Sequence, residues 1–219
     1  MTKKVLIIGG QGNGSIIAHA IKHANMLGHK DWECIGFLND HAGVGNKIDG
    51  FEVLGTLNDS KKFLLEGYYF INSILRIDGQ KERIDMFLNL GIPENRMATF
   101  IHPMAYVAPG VKLSSGVVVM PQVSISPGCT IGKNTLILDG ATIGHDDIIG
   151  DFCHFSYQAC VGSYLNIGMG VHVGLNATIR EHLTIGDYST LGMGAVLTKN
   201  IGENEIWVGN PAHFLRKVN

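Results

Sequence analysis

The sequence predicts a two-part fold: a small α/β domain over residues 1–98, then a parallel β-solenoid over residues 99–219 that closes in a short C-terminal tail. Three observations predict it. An aliphatic or aromatic side chain recurs at every sixth residue from Ile101 to Leu197, through Val107, Leu113, Val119, Ile125, Ile131, Ile137, Ile143, Ile149, Phe155, Val161, Ile167, Val173, Ile179, Ile185 and Leu191. The position two residues earlier is mostly small or β-branched, as at Ala105, Val117, Cys129, Ala141, Ala159 and Ala177. Before residue 98 this period is absent, and apolar strands alternate with helical patterns.

Six is a multiple of the strand period of two and not of the helical period. Each six-residue unit therefore offers two inward side chains two apart, followed by a corner. One such strand cannot bury its face alone, so the units must stack on one another. Glycine follows the aliphatic at 132, 144, 150, 162, 168, 174, 186 and 192, where a tight bend or a close backbone approach has no room for a Cβ.

In the first part, Lys4 to Ile8 reads as a strand and Gly9-Gly10-Gln11-Gly12-Asn13-Gly14 as a glycine-rich turn. Ser15 to Leu27 has helical spacing in Ile16, Ile17, Ala20, Ile21 and Ala24. Strands follow at Cys34 to Leu38, near Phe51 to Leu54 and near Tyr69 to Asn72, with helices near Leu57 to Leu65 and Gly79 to Leu90. This βαβ order implies a small parallel sheet with helices packed on it. Exposed amides at Gly10, Gly12 and the helix start suit a phosphate. Nucleotide or nucleotide-sugar binding, dinucleotide binding and a purely structural turn all stay open. The spacing is not a clean G-x-G-x-x-G, and the domain is too short for a full two-half dinucleotide fold, which disfavours NAD.

Net charge −2, with 45% hydrophobic and 16% charged residues, suits a globular chain and lacks the basic footprint of a nucleic-acid binder. No apolar run approaches a membrane span and no apolar signal segment opens the chain, so a cytoplasmic protein is expected. Cys129 and Cys153 fall in the small inward register and read as core rather than as disulfides.

The two halves together resemble the sialic-acid and bacillosamine sugar acetyltransferase group. The resemblance rests on residues 7–14, Gly36-Phe37-Leu38-Asn39-Asp40, Val53-Leu54-Gly55, His102-Pro103, Ile143-Gly144-His145-Asp146, Ile149-Gly150-Asp151-Phe152, His154 and Val208-Gly209-Asn210-Pro211-Ala212. It implies a Rossmann-like N-terminal domain that binds a nucleotide sugar, and a left-handed β-helix in which three hexapeptides make one triangular coil. Residues 101 to 197 then make roughly five coils. It further implies acetyl-CoA as co-substrate and a homotrimer with its active site between subunits. By the same resemblance His145 is the general base, Asp146 the acid that supports it, and His154 a contact to acetyl-CoA. The pantetheine is expected to run past His154, Asn176, Gly192 and Gly194. Gly12, Asn13, Gly14, Asn39, Asp40, Gly55 and Asp139 are the expected substrate contacts. The chain departs from the group's pattern at Asn13, Asn39, Leu138-Asp139 and Ser163.

The chemistry supports these roles independently. An amine attacking a thioester must lose a proton, and a histidine can take it. An adjacent Asp can hold one tautomer and stabilise the imidazolium. Ser163 lies eighteen residues after His145, one coil on, and its amide is the expected oxyanion donor. No metal is expected: His145, His154, His172 and His182 lack close ligand spacing, and an acid beside His145 fits base activation better. Asp147 breaks the small inward register, which implies either a distorted coil or a paired acid. His102, His172, His182 and His213 read as surface residues.

The expected function is N-acetylation of a nucleotide-linked amino sugar, such as a UDP-4-amino-4,6-dideoxy sugar, in surface-glycan synthesis. The alternatives are sugar O-acetylation of the sialic-acid type and a non-catalytic trimeric scaffold.

Overall fold

The computed structural model describes residues 2–218. Strands β1 (Lys3–Ile8), β2 (Trp32–Leu38), β3 (Lys47–Ile48), β4 (Phe51–Gly55) and β5 (Tyr69–Asn72) form one sheet in the order β3-β4-β2-β1-β5. All pairs are parallel except the β3–β4 hairpin. Helices α1 (Asn13–Met26), α2 (Ser60–Leu65) and α3 (Gln80–Leu88) cover it. Val5, Leu6, Ile7, Ile8, Phe37, Phe70 and Ile71 are wholly buried, as expected where a parallel sheet is covered on both faces. The sequence-derived elements recur within two or three residues of their expected bounds. Ala98 still donates to Phe70 O, and Phe100–Ile101 already pairs with Val118–Val119 of the solenoid. The chain thus changes architecture within two residues.

From there on the fold is a left-handed β-helix of two-residue strands that pair in parallel, eighteen residues apart. Its first face contains Leu136–Ile137, His154–Phe155 and His172–Val173. The second contains Thr142–Ile143 and Cys160–Val161, and the third Ile148–Ile149 and Asn166–Ile167. The repeated aliphatics are buried from Val119 through Leu197. Ile101 at the open first coil is the correction: it is 43% exposed, because no earlier coil covers it.

The glycines that follow the aliphatics serve close approach rather than bending. A Cβ on Gly132 would sit 2.3 Å from Gly150 C, and one on Gly144 would sit 2.2 Å from Gly162 O. The bends fall two residues later, at left-handed positions held by Gly128, Asp146, Tyr164 and His182 on successive coils. A C-terminal hairpin of Glu205–Val208 and His213–Lys217 extends the first face, and Arg216 pairs with Asp78 at 2.6 Å across to the N-terminal domain. No helix among the described residues is long and apolar enough to cross a membrane.

Candidate active site

His145 and Asp146 occupy the corner between the second and third faces. Both are about half exposed, and His145 Nδ1 lies 2.8 Å from Asp146 Oδ2. A carboxylate only accepts, so Nδ1 carries the proton and Nε2 is left with its lone pair. That is the arrangement a general base requires. Ser163 stacks directly on this corner: its hydroxyl accepts from the His145 amide at 3.1 Å, and its carbonyl accepts from the His182 amide at 2.9 Å. Two residues that sequence reasoning missed continue the column. Tyr164 meets the His145 ring edge-to-face with centroids 4.8 Å apart, and His182 stacks on Tyr164 at 4.8 Å. Their eighteen-residue spacing was the available signal.

Asp147 is fully buried in an undistorted coil, since Ile148–Ile149 keeps register with Thr130–Ile131 and Asn166–Ile167. Of the two alternatives, pairing is what the structure displays. Oδ1 accepts the Leu165 amide at 2.9 Å, while Oδ2 has no hydrogen-bond partner. Burial raises the carboxyl from 3.8 to about 6, against the opposing pull of the Leu165 amide. A folded-state value above the unfolded one makes Asp147 most favourable below pH 3.8, and that contribution is lost as pH rises through 6. Asp147→Asn should therefore raise the melting temperature by a few degrees at pH 8 and by clearly less at pH 5. Equal shifts at both pH values in calorimetry would contradict this.

His154 lies on another part of the prism. It sits on the first face, against the N-terminal domain, with Nδ1 2.9 Å from His172 Nδ1. Its Nε2 is enclosed without a partner. Burial holds His154 down at about 3, assisted by the neighbouring His172, and burial alone holds His172 at about 4. His172 is 6% exposed and so is not the surface residue expected from sequence. Its outward register is covered by the domain that packs on this face. His102 needs the same correction. It is fully buried, accepts from the Met104 amide at Nδ1 (3.1 Å), and meets His23 Nδ1 through Nε2 at 3.0 Å. His182 and His213 are exposed, as expected.

An open cleft of about 340 Å³ runs between the two halves, lined by Asn13, Leu138, His154, Tyr157, His172 and Leu175 among others. It unites the glycine-turn residue Asn13 with His154, and its rim reaches the first-to-second corner. Asp139, Asn176, Gly192 and Gly194 lie along that corner, where Asn176 and Gly194 hold its left-handed positions. His145 does not line this cleft. A triangular prism has three edges: His145 and Ser163 share one, while Asn176, Gly192 and Gly194 lie along another.

At the glycine turn, Gly12 opens α1 with φ 80, and a Cβ on Gly14 would meet Ser73 Oγ at 2.8 Å. A second opening of about 380 Å³ beside it is lined by Gln11, Asn39, His41 and Lys47. Asn39 is already committed: its amide donates to Gly9 O at 3.0 Å and its oxygen accepts from the His41 and Ala42 amides. Asp40 accepts from the Leu57 amide at 2.8 Å, and Gly55 packs against Asp59. These three residues shape the turn's surroundings through their own contacts. Among the described residues no group of three or more His, Cys, Asp or Glu side chains is placed to hold a metal ion.

The family model for the bacterial transferase hexapeptide, six repeats long, matches residues 110–145. The chain carries the bacterial transferase hexapeptide repeat. His145 is the last residue of the matched stretch. Over nearly the whole chain the fold follows that of sugar N-acetyltransferases. A mutant perosamine N-acetyltransferase of Caulobacter crescentus, in complex with CoA and GDP-perosamine, superposes with a TM-score of 0.85 at 22% identity, covering 99% of each chain. The acetyltransferase domain of PglB from Neisseria gonorrhoeae FA1090 reaches 0.83 at 28% identity over 98% of this chain and 100% of its own. The same domain in complex with acetyl coenzyme A reaches 0.79 at 27% identity, with the same coverage. Among curated relatives, the galactoside O-acetyltransferase of Escherichia coli K12 is 36% identical over 55 residues, 25% of this chain and 27% of its own. The chain spans little more than a quarter of the length of the curated relatives it matches.

Proposed function

We propose that this hexapeptide-repeat protein transfers acetyl from acetyl-CoA to the amino group of a nucleotide-linked amino sugar. The observation that carries the reading is the His145–Asp146 pair, with Nδ1 bound at 2.8 Å and Nε2 directed away from it. Nε2 takes a proton from the attacking amine as its nitrogen bonds to the thioester carbonyl carbon. The tetrahedral oxyanion is met by the Ser163 amide. Collapse breaks the carbon–sulfur bond, and the imidazolium returns its proton to the CoA thiolate. No enzyme nucleophile is needed. The complexes of similar proteins with CoA, acetyl coenzyme A and GDP-perosamine support both substrates.

The separation of His145 from the His154 cleft supports a homotrimer. In it, one subunit's corner faces the cleft of its neighbour, and CoA runs along Asn176, Gly192 and Gly194. The nucleotide lies by Gly12, Asn13 and Gly14 beside Lys47, with Asp40 and Asp139 toward the sugar. A cytoplasmic location and a role in surface-glycan synthesis complete the proposal. A second reading, O-acetylation, is favoured by the galactoside O-acetyltransferase relative.

A screen of UDP-, GDP- and dTDP-linked amino sugars and their hydroxyl counterparts with acetyl-CoA, following free thiol release, tests the proposal. Turnover that requires the amine is the expected result. Release only with hydroxyl acceptors moves the reading to O-acetylation, and no release with any sugar overturns it.

A further inference from the structure

The left-handed corner positions are costly for bulky side chains, so an aromatic residue there calls for a reason. Phe152, Tyr164 and Tyr188 all hold such positions, with φ of 57, 59 and 56. Two have packing reasons on the N-terminal side. Phe152 is 5% exposed and meets Phe87 at 5.8 Å. Tyr188 donates to Met169 Sδ at 3.3 Å and packs with the cluster that holds Phe152 and Phe87. Tyr164 belongs to neither hydrophobic cluster and is 51% exposed. Its ring contacts among the described residues are His145 and His182.

The coil geometry places Tyr164 between them. Its amide donates to His145 O at 3.1 Å, one coil back, and its ring lies within 5° of parallel to His182, one coil on. His145 stands at 85° to the same ring. The tyrosine is thus backed on one side by His182 and meets the half-exposed imidazole on the other. Asp146 fixes that imidazole at one atom only, Nδ1, and a single hydrogen bond leaves the ring free to swing about it.

We propose that Tyr164 is a positioning residue for His145, its ring holding the imidazole so that Nε2 stays aimed at the acceptor. This rests on the reading of His145 as the base. Two substitutions test it. Tyr164→Asn removes the ring and suits a left-handed position, so the coil is retained. Tyr164→Phe keeps the ring and removes the hydroxyl. The Asn variant is expected to lose roughly tenfold in kcat, with KM for both substrates within about twofold of wild type. The Phe variant is expected to stay near wild type. In NMR, the His145 Cε1–H resonance should lose its ring-current shift in the Asn variant alone, a readout independent of turnover.

Wild-type kcat in Tyr164→Asn overturns the proposal, as does an equal loss in Tyr164→Phe. A change in acceptor KM at constant kcat also overturns it, by making Tyr164 a substrate contact. A change of oligomer size in light scattering overturns it by making Tyr164 an interface residue. If His145→Ala turns over normally, the reading of the base itself has failed, which separates that failure from this one.

Discussion

His145→Ala should lower kcat by about 10²- to 10⁴-fold, the usual range for loss of a positioned general base. The side chain is half exposed at a corner, and its one strong partner is Asp146 at 2.8 Å, so truncation leaves no buried group unsatisfied and the fold should persist. Acetyl-CoA binding by calorimetry and oligomer size by light scattering should match the wild type. Asp146→Asn should cost less, because an amide oxygen can still accept from Nδ1–H but carries no charge to stabilise the imidazolium. Near-normal turnover in His145→Ala would remove the residue from the mechanism. Loss of both turnover and assembly would make its role structural.

Acidification should destabilise the fold steeply between about pH 6.5 and pH 4. His154 and His172 face one another through their Nδ1 atoms at 2.9 Å, so one must donate and the other accept. If both carried a second proton, two N–H groups would point at each other in an enclosed space. Burial accordingly holds them at about 3 and about 4 in the fold, against 6.5 for a free imidazole. The unfolded chain therefore binds protons that the folded one refuses. The pair's contribution is fully present above pH 6.5 and is lost as pH falls through about 4 and then about 3, on the order of a few kcal/mol. Denaturant unfolding at pH 7.5, 6 and 5 should reveal this slope. His172→Asn should flatten it even where it lowers stability throughout, and an unchanged slope in that variant would refute the assignment. Asp147 has the opposite sign, so it partly offsets the loss on acidification.

The two acid-sensitive features differ in how far they were visible beforehand. Asp147 announces itself in the sequence as an acid in a register of small apolar residues. Its burial and its pairing are both among the sequence's expectations, but the partner, the Leu165 backbone amide on the next coil, carries no side-chain signature. His172 gave no warning. It sits at an outward strand position, and only the N-terminal domain packed on that face turns outward into buried. His102 is buried for the same reason, against His23 of the first half. For both histidines the missing information was a contact between halves of the chain that no local pattern encodes.

The period of six determined the coil, the inward register and the eighteen-residue ruler, because each of these depends on neighbours at constant sequence separation. It also aligns His145 with Ser163, and Tyr164 with His182. The strand and helix alternation of the first hundred residues likewise follows from local spacing. Tertiary structure alone decided which faces the N-terminal domain covers, that His102 and His172 are buried beneath it, and that the Asn39 amide is spent on Gly9 O. Those facts arise from long-range packing, in which burial depends on what lies opposite rather than on what lies next in the chain.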